Sequence, residues 1–122
     1  MANAEEPTTG AAWQLDVMRV LKQHGVKHVV YVPDAGHTPA IRMAESDPEI
    51  TAVVLTSEQE GIGYLAGAWL GGERGALLMQ SSGVGNCINT LALQVQDFRG
   101  QRYQSRLPGT LHSAVPYISP LT

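Results

Sequence analysis

The sequence predicts an α/β protein, a three-layer α/β/α domain built on a mostly parallel sheet. Three observations favour this class: short continuous apolar runs, amphipathic stretches between them, and glycine or proline at their junctions. Continuous apolar runs are typical of parallel strands, because helices cover such strands on both faces. Ligands of these sheets bind at the carboxyl ends of the strands, so we expect functional residues directly after the apolar runs.

Composition indicates one globular domain without a polyanionic partner. The chain has 122 residues, of which 43% are hydrophobic and 16% charged, with a formal net charge of -3. This length suits one small domain. The eight lysines and arginines form no basic cluster that would bind nucleic acid. Cys87 is the single cysteine, which excludes an internal disulfide and favours a reducing compartment.

Targeting signals are not evident in the sequence. Residues 1–10 are polar and acidic, without the basic and apolar regions of a signal peptide. No apolar run approaches the roughly 20 residues that a membrane helix requires. We therefore expect a soluble, cytoplasmic protein with no membrane partner.

Helical and strand patterns alternate along most of the chain. They predict helices over 11–24, 38–45, 58–70 and 86–95, and strands over 27–32, 50–55 and 76–79. Gly25 is expected to end the first helix in the C′ position. Thr38 and Pro39 are expected to be the N-cap and first residue of the second helix. Three segments follow strands at the ligand edge: 33–37, 56–60 and 80–86.

The strongest chemical signal is the segment from Thr56 to Trp69. The second strand delivers Glu58 to the first turn of a helix, where the helix dipole favours an acid. Small residues then allow another backbone or a flat ligand to approach that helix: Gly61, Gly63, Ala66, Gly67 and Ala68. From spacing alone, Glu58 fits both an ordinary first-turn acid and a catalytic carboxylate.

Two further segments carry polar groups at the same edge. The run from Met79 to Asn86 either presents backbone N–H groups to a ligand or forms an ordinary strand-to-helix connection. Asp34 fits a turn former and a site residue equally well. Of the four histidines, only His37 lies at this edge. The histidines and Cys87 lack metal-binding spacing, so no metal site is expected in this chain.

Together these segments resemble the thiamine-diphosphate-dependent enzymes. The strand before Glu58 and Gln59, with Gly67 further along the helix, resembles their cofactor-activating segment. The run MQSSGVGN at 79–86, followed by NTL at 89–91, resembles a loop of phosphonopyruvate decarboxylase and of the sulfopyruvate decarboxylase α subunit.

The first turn adds to this resemblance, since Val32-Pro33-Asp34 is similar to the first active-site turn of the same group. The likeness covers about residues 13–93. It implies the pyrimidine-binding (Pyr) domain of the thiamine-diphosphate-binding fold, and a decarboxylase, a carbon–carbon lyase acting on a small 2-oxo acid.

The resemblance also implies roles for particular residues. In this family a glutamate matching Glu58 hydrogen-bonds a ring nitrogen of the aminopyrimidine and so activates the cofactor, which serves as the electron sink while CO2 leaves. Glu58 is thus the implied catalytic residue. The implied cofactor-binding residues are Glu58, Gln80, Ser81, Ser82, Gly83 and Asn86. Asp34 and His37 are candidates for contacting substrate or relaying protons.

A missing motif implies a partner. The family holds diphosphate and Mg²⁺ through a Gly-Asp-Gly…Asn segment of a separate domain, and this sequence contains no Gly-Asp-Gly. The resemblance therefore implies a diphosphate-binding (PP-domain) β subunit that binds Mg²⁺, with a hetero-oligomer as the active form and a chain inactive alone. The small-residue face of helix 58–70 is an expected contact surface. Arg42, Arg74 and partner residues all remain open as ligands of the substrate's anionic group.

The C-terminal quarter departs from the pattern. The sequence divides into a disordered tail at 1–10, the Pyr-type domain at 11–93 and an atypical segment at 94–122. In that segment no apolar run exceeds two residues, where a doubly wound domain would continue with a buried strand. A divergent tail, a truncated gene and a frameshift are three open explanations, and the sheet is expected to be incomplete there.

Two alternatives to a decarboxylase subunit stay open. One is a non-catalytic remnant of such a subunit, which keeps the fold without the chemistry. The other is an unrelated nucleotide-binding module, because Gly61, Gly63 and Ala66 formally match a dinucleotide fingerprint.

Overall fold

The computed structural model of the chain describes residues 9–100 and 117–118. Within them the helices are α1 (Thr9–Gln23), α2 (Thr38–Ser46), α3 (Glu58–Leu70) and α4 (Gly83–Gly100). The strands are β1 (Val26–Tyr31), β2 (Thr51–Val54), β3 (Arg74–Leu78) and β4 (Tyr117–Ile118), and a 3-10 turn spans Ala35–His37. The strands lie in the order β2-β1-β3-β4, and every pair is parallel.

Helices cover both faces of the sheet. Successive side chains of the central strand β1 point to opposite sides, so each face carries its own core cluster. Val29 packs in one core cluster with Met18 of α1 and with α2. Val30 packs in the other cluster with Ile62 of α3 and Cys87 of α4. The predicted three-layer α/β/α class with a parallel sheet is therefore confirmed.

Two helices end at glycines with positive φ, a backbone conformation that only a residue without Cβ adopts easily. Gly25 follows α1 with φ of 80°, and Gly72 follows α3 with φ of 87°. The Gly25 N–H donates to the Lys22 carbonyl at 3.0 Å. The predicted C′ role of Gly25 agrees with this geometry.

The start of α2 differs from the prediction. Thr38 was expected as the N-cap, but its φ of -51° and ψ of -46° are already helical, and His37 occupies the N-cap position. The cause is the preceding 3-10 turn, which runs straight into α2. The Thr38 hydroxyl instead donates backward to the Ala35 carbonyl at 2.9 Å.

The start of α4 also differs. The Gly/Ser composition predicted a loop to residue 85, whereas α4 begins at Gly83. Gly83 N–H donates to the Gln80 carbonyl at 2.9 Å and Val84 N–H to the Ser81 carbonyl at 3.3 Å, so the turn winds directly into the helix. Gly83, which was predicted to lie in a loop, therefore lies in the first turn of α4 together with Asn86.

A fourth strand corrects the expectation that none follows α4. Tyr117 and Ile118 pair in parallel with Leu77 and Leu78 of β3. Two residues suffice because β3 supplies a fixed template, and aromatic and β-branched residues suit a strand. Residues 1–8 and most of 101–122 lie outside the described residues, so the predicted disordered tail and the origin of the atypical segment stay predictions.

Candidate active site

The three predicted ligand-edge segments meet at one edge of the sheet. β1 lies between β2 and β3, with Tyr31 opposite Val54 on one side and Leu78 on the other. Beyond the paired residues, Leu55 N–H donates to the Tyr31 carbonyl at 2.7 Å, and Val32 N–H donates to the Leu78 carbonyl at 3.4 Å. The turns that follow the three strands are thereby held side by side.

Glu58 occupies this edge at the first position of α3. Its side chain is half-buried, and the Asn86 side-chain amide of α4 donates to Glu58 Oε2 at 2.9 Å. No hydrogen bond from a described residue reaches Oε1. The carboxylate is therefore held in orientation through one oxygen, while the other is available to a ligand.

Gly83 makes this approach possible. A Cβ built on Gly83 would lie 2.6 Å from Glu58 Oε1 and 2.8 Å from Cδ, closer than a real Cβ allows. The backbone of α4 thus lies directly against the carboxylate. Two of the predicted site residues, Gly83 and Asn86, contact the Glu58 carboxylate, and both belong to the first turn of α4.

A second glutamate of the same turn has a different role. Glu60 Oε2 accepts hydrogen bonds from Thr56 N–H at 2.9 Å and from Thr56 Oγ1 at 2.8 Å. These bonds hold the pKa of Glu60 below its ordinary value. Glu60 closes the connection between β2 and α3, which leaves Glu58 as the carboxylate that faces α4.

Cys87 lies beneath the carboxylate as a packing residue. Its side chain is 2% exposed and makes contacts with Met79 Sδ and the Gly83 carbonyl. Burial, and secondarily the charge of Glu58, raise the pKa of the Cys87 thiol. The thiol is therefore protonated at neutral pH and is not a nucleophile.

The other three predicted cofactor residues stay at the rim. The side chains of Gln80, Ser81 and Ser82 are exposed, and Ser82 Oγ donates to Gln80 Oε1 at 3.4 Å. None of these side chains hydrogen-bonds Glu58. They lie next to the carboxylate only through their connection to Gly83, and their predicted contact with the cofactor stays a prediction.

The predicted substrate residues lie in the turn after β1. Asp34 Oδ1 accepts from Gly36 N–H at 3.0 Å, so Asp34 does form the turn. Its other oxygen, Oδ2, is buried without a hydrogen bond from a described residue. His37 has no exposed surface, and its Nε2 donates to the Met79 carbonyl at 2.9 Å. Direct contact of His37 with a substrate would require this turn to move.

An open groove of about 570 Å³ runs beside Asp34. Its walls include Thr38, Arg42 and Glu45 of α2. Tyr31, which also lines the groove, donates to a Glu45 carboxylate oxygen. This bond, with burial, raises the pKa of Tyr31, so Tyr31 stays protonated at neutral pH.

Sequence reasoning missed one residue that supports this edge. Gln14 of α1 is 6% exposed, and its amide donates to the Gly36 carbonyl at 2.7 Å and accepts from Ala40 N–H at 3.3 Å. Its position was detectable, because Gln14 precedes Met18 by four residues on the buried stripe of α1. A glutamine at a core position needs polar partners, and here they are the turn after β1 and α2.

The small residues of α3 fall on two different faces. A Cβ on Gly61 would lie 2.7 Å from Leu55 and 2.8 Å from Leu77, so Gly61 permits close packing on the sheet. Gly63 and Gly67 are exposed, with nothing within 4 Å of a built Cβ. The expected contact surface is thus limited to the outer positions.

Comparison with known proteins identifies the class. The family described as "thiamine pyrophosphate enzyme, N-terminal TPP binding domain" matches residues 14–97. The chain belongs to this family, which confirms the resemblance drawn from the motifs. Thiamine diphosphate is accordingly the cofactor of this domain, and the reading as an unrelated nucleotide-binding module is set aside.

Curated relatives fall within two named groups. The chain is 39% identical over 83 residues to sulfopyruvate decarboxylase subunit alpha of Methanococcus maripaludis, covering 68% of this chain and 50% of the relative. The same subunit of Methanothermobacter thermautotrophicus is 42% identical over 72 residues, covering 59% and 44%. Phosphonopyruvate decarboxylase of Streptomyces viridochromogenes is 41% identical over 76 residues, covering 62% and 19%. The chain spans about half the length of the first two relatives.

The described residues fit the pyrimidine part of the cofactor. A ring nitrogen that shares a proton requires a fixed carboxylate with one accessible oxygen, which Glu58 supplies through Oε1. The missing side chain at Gly83 leaves that oxygen flanked by backbone. None of the helices in the described ranges combines the length and apolar character needed to cross a membrane.

Proposed function

We propose that this chain is the pyrimidine-binding subunit of a thiamine-diphosphate-dependent 2-oxo acid decarboxylase of the phosphonopyruvate or sulfopyruvate type. One observation carries the proposal: Glu58 stands at the ligand edge, held by Asn86 through Oε2, with Oε1 against Gly83. The relatives are named as decarboxylases, which supports decarboxylation as the reaction.

Each residue then has a defined task. Glu58 holds a proton at a ring nitrogen of the aminopyrimidine, and the Asn86 amide keeps the carboxylate turned toward it. The exposed polar segment Gln80–Ser82 lines the cofactor from the same side. When bound, the cofactor supplies the electron sink for loss of CO2.

A partner completes the site. Glu58 is only half-buried in this chain, whereas a carboxylate sharing a proton with a ring works best where water is excluded. The partner is a PP-domain β subunit that binds the diphosphate and Mg²⁺ and covers this edge. Three relatives are named as subunits alpha, which supports a divided enzyme.

Mixing tests this function directly. We expect neither this chain nor a diphosphate-domain β subunit to decarboxylate phosphonopyruvate or sulfopyruvate alone, and the mixture to do so with added thiamine diphosphate and Mg²⁺. The measurement is CO2 release, with omission of the cofactor as the control. A folded mixture that binds cofactor without releasing CO2 would instead identify a non-catalytic remnant.

Arg42 is the proposed ligand for the anionic group of the substrate. It lies in the wall of the groove beside Asp34 and takes part in none of the salt bridges between described residues. Arg74 is at the opposite, amino-terminal end of β3, where it donates to the His24 carbonyl at 3.1 Å. Of the two arginines left open by the sequence, only Arg42 shares an edge with Glu58.

Substitution of each arginine in turn shows which of the two binds the substrate. In the assembled enzyme, Arg42→Gln should raise KM for the oxo acid about tenfold or more, because a charge-assisted hydrogen bond contributes roughly 1.5–3 kcal/mol. Arg74→Gln should leave KM unchanged. Steady-state kinetics at saturating cofactor measures both, and equal KM values for the two variants would remove Arg42 from the substrate site.

A further inference from the structure

His37 is the one histidine that the fold encloses completely among the described residues. It has no exposed surface, although it is a polar side chain at the end of a short turn. Its imidazole reaches from the turn after β1 to the end of β3, where Nε2 lies 2.9 Å from the Met79 carbonyl. Burying a polar group costs free energy unless a hydrogen bond compensates its desolvation. The bond to Met79 supplies this compensation for His37.

The chemistry of the contact fixes the position of the proton. A backbone carbonyl can only accept, so Nε2 must carry the hydrogen. Nδ1 is buried and has no hydrogen-bond partner among the described residues. The imidazole is therefore the donor of this contact, through the hydrogen on Nε2.

The contact links two segments that carry predicted site residues. One is the turn of Asp34, and the other leads from Met79 through the exposed loop to Gly83, which lies against Glu58. Backbone pairing between these segments ends with the long Val32 N–H to Leu78 carbonyl bond at 3.4 Å. Beyond that point, within the described part of the chain, the two segments are joined by the hydrogen bond from His37 Nε2 to the Met79 carbonyl.

We propose that His37 is a positioning residue that fixes the spacing between the Asp34 turn and the Gly83–Glu58 contact, acting through its Nε2–H donor. The proposal rests on the proposed function, because the spacing matters only if cofactor and substrate meet at this edge. His37 itself touches neither ligand. Its effect passes through the Met79 carbonyl to the first turn of α4.

Two amide variants separate positioning from general stability. Glutamine places its side-chain N–H near the imidazole Nε2 position and can still donate to Met79, whereas asparagine places it near Nδ1 and cannot. With the β subunit present, we expect His37→Gln to bind thiamine diphosphate within about threefold of wild type. His37→Asn should bind it about tenfold more weakly and turn over roughly 10- to 100-fold more slowly, since small displacements at a reacting centre have effects of this size.

Cofactor affinity and kcat of the two variants distinguish a positioning role from a purely structural one. Cofactor affinity and kcat are measured well below the melting temperature of the least stable variant, where a merely structural role would leave both unchanged. Equal affinities and equal kcat values for the Gln and Asn variants would overturn the proposal. If the wild-type complex binds cofactor but releases no CO2, the proposed function fails while the affinity comparison still tests His37.

A spectroscopic test needs no activity and no folded variant. Nitrogen–proton correlation spectra of the full chain labelled with 15N-histidine distinguish the two neutral tautomers from the imidazolium. The His37 signal, assigned by its loss in His37→Gln or in a second variant, should show a proton on Nε2. The neutral Nδ1–H tautomer, in which Nε2 cannot donate to the Met79 carbonyl, would contradict the proposal.

Discussion

Replacing Glu58 by glutamine should reduce kcat of the assembled enzyme by about 10²- to 10⁴-fold, the range typical of a lost acid–base group. Glutamine keeps the length of the side chain and an oxygen that accepts from Asn86, so the geometry of the edge is retained. What disappears is the charge that holds a proton at the pyrimidine ring. Stopped-assay CO2 release at saturating cofactor and substrate measures the loss.

The matched control is Glu60→Gln. Glu60 lies in the same turn of α3, but its carboxylate is bound to Thr56 and faces away from Gly83 and Asn86. An amide oxygen can still accept from Thr56, so kcat should stay within about threefold of wild type. Full activity in the Glu58 variant, with folding verified by circular dichroism, would end the assignment of Glu58 as the activating residue.

Replacing Gly83 by alanine should also lower kcat strongly while leaving the fold intact. In Gly83→Ala the new Cβ would lie 2.6 Å from Glu58 Oε1 and 2.8 Å from both Cδ and Cγ, so the outer part of the flexible Glu58 side chain must move. Rotation of the whole Glu58 side chain relieves these contacts, and alanine is favoured over glycine in a helix by roughly 1 kcal/mol, so we expect the fold to be retained. The displaced carboxylate should lower kcat about 100-fold, because catalytic geometry tolerates little movement.

Gly85→Ala is the control on the same helix turn. Gly85 is exposed, and a Cβ built there meets nothing within 4 Å. The Gly85→Ala variant should therefore retain activity and gain up to about 1 kcal/mol in the free energy of unfolding. Thermal or urea unfolding combined with kcat measures both effects. A Gly83 variant with wild-type kcat would show that Glu58 does not need the position seen here.

Much of the fold was predictable because local and tertiary preferences agree. Helix α3 spans Glu58–Leu70 as predicted, since a polar turn follows the β2 run and a glycine pair ends the helix. Disagreement arose where a turn led directly into a helix, at Thr38 and at Gly83. Composition alone cannot show whether a Gly/Ser segment stays a loop, because this depends on hydrogen bonds such as Gly83 to Gln80.

Part of the candidate site was predictable from the resemblance. Glu58, Gly83 and Asn86 were implied together as cofactor residues, and the structure places them in contact, while their role at a cofactor stays a prediction. The burial of His37 and the position of Arg42 in the groove were not predictable, because both depend on how α2 packs beside β1. Periodicity places a residue on a helix, but only the tertiary arrangement decides what lies across from it.

The strand order has a consequence for synthesis of the protein. β1 is the neighbour of β3 in the sheet, although β2 and two helices separate them in the chain. The Glu58 environment also requires α4, which leaves the ribosome after β3. A nascent chain can therefore assemble β1 and β2 early, yet one side of β1 stays unpaired until translation has passed β3. Because such distant pairings form slowly, this exposed side is where a nascent chain is most open to chaperones or to misassembly.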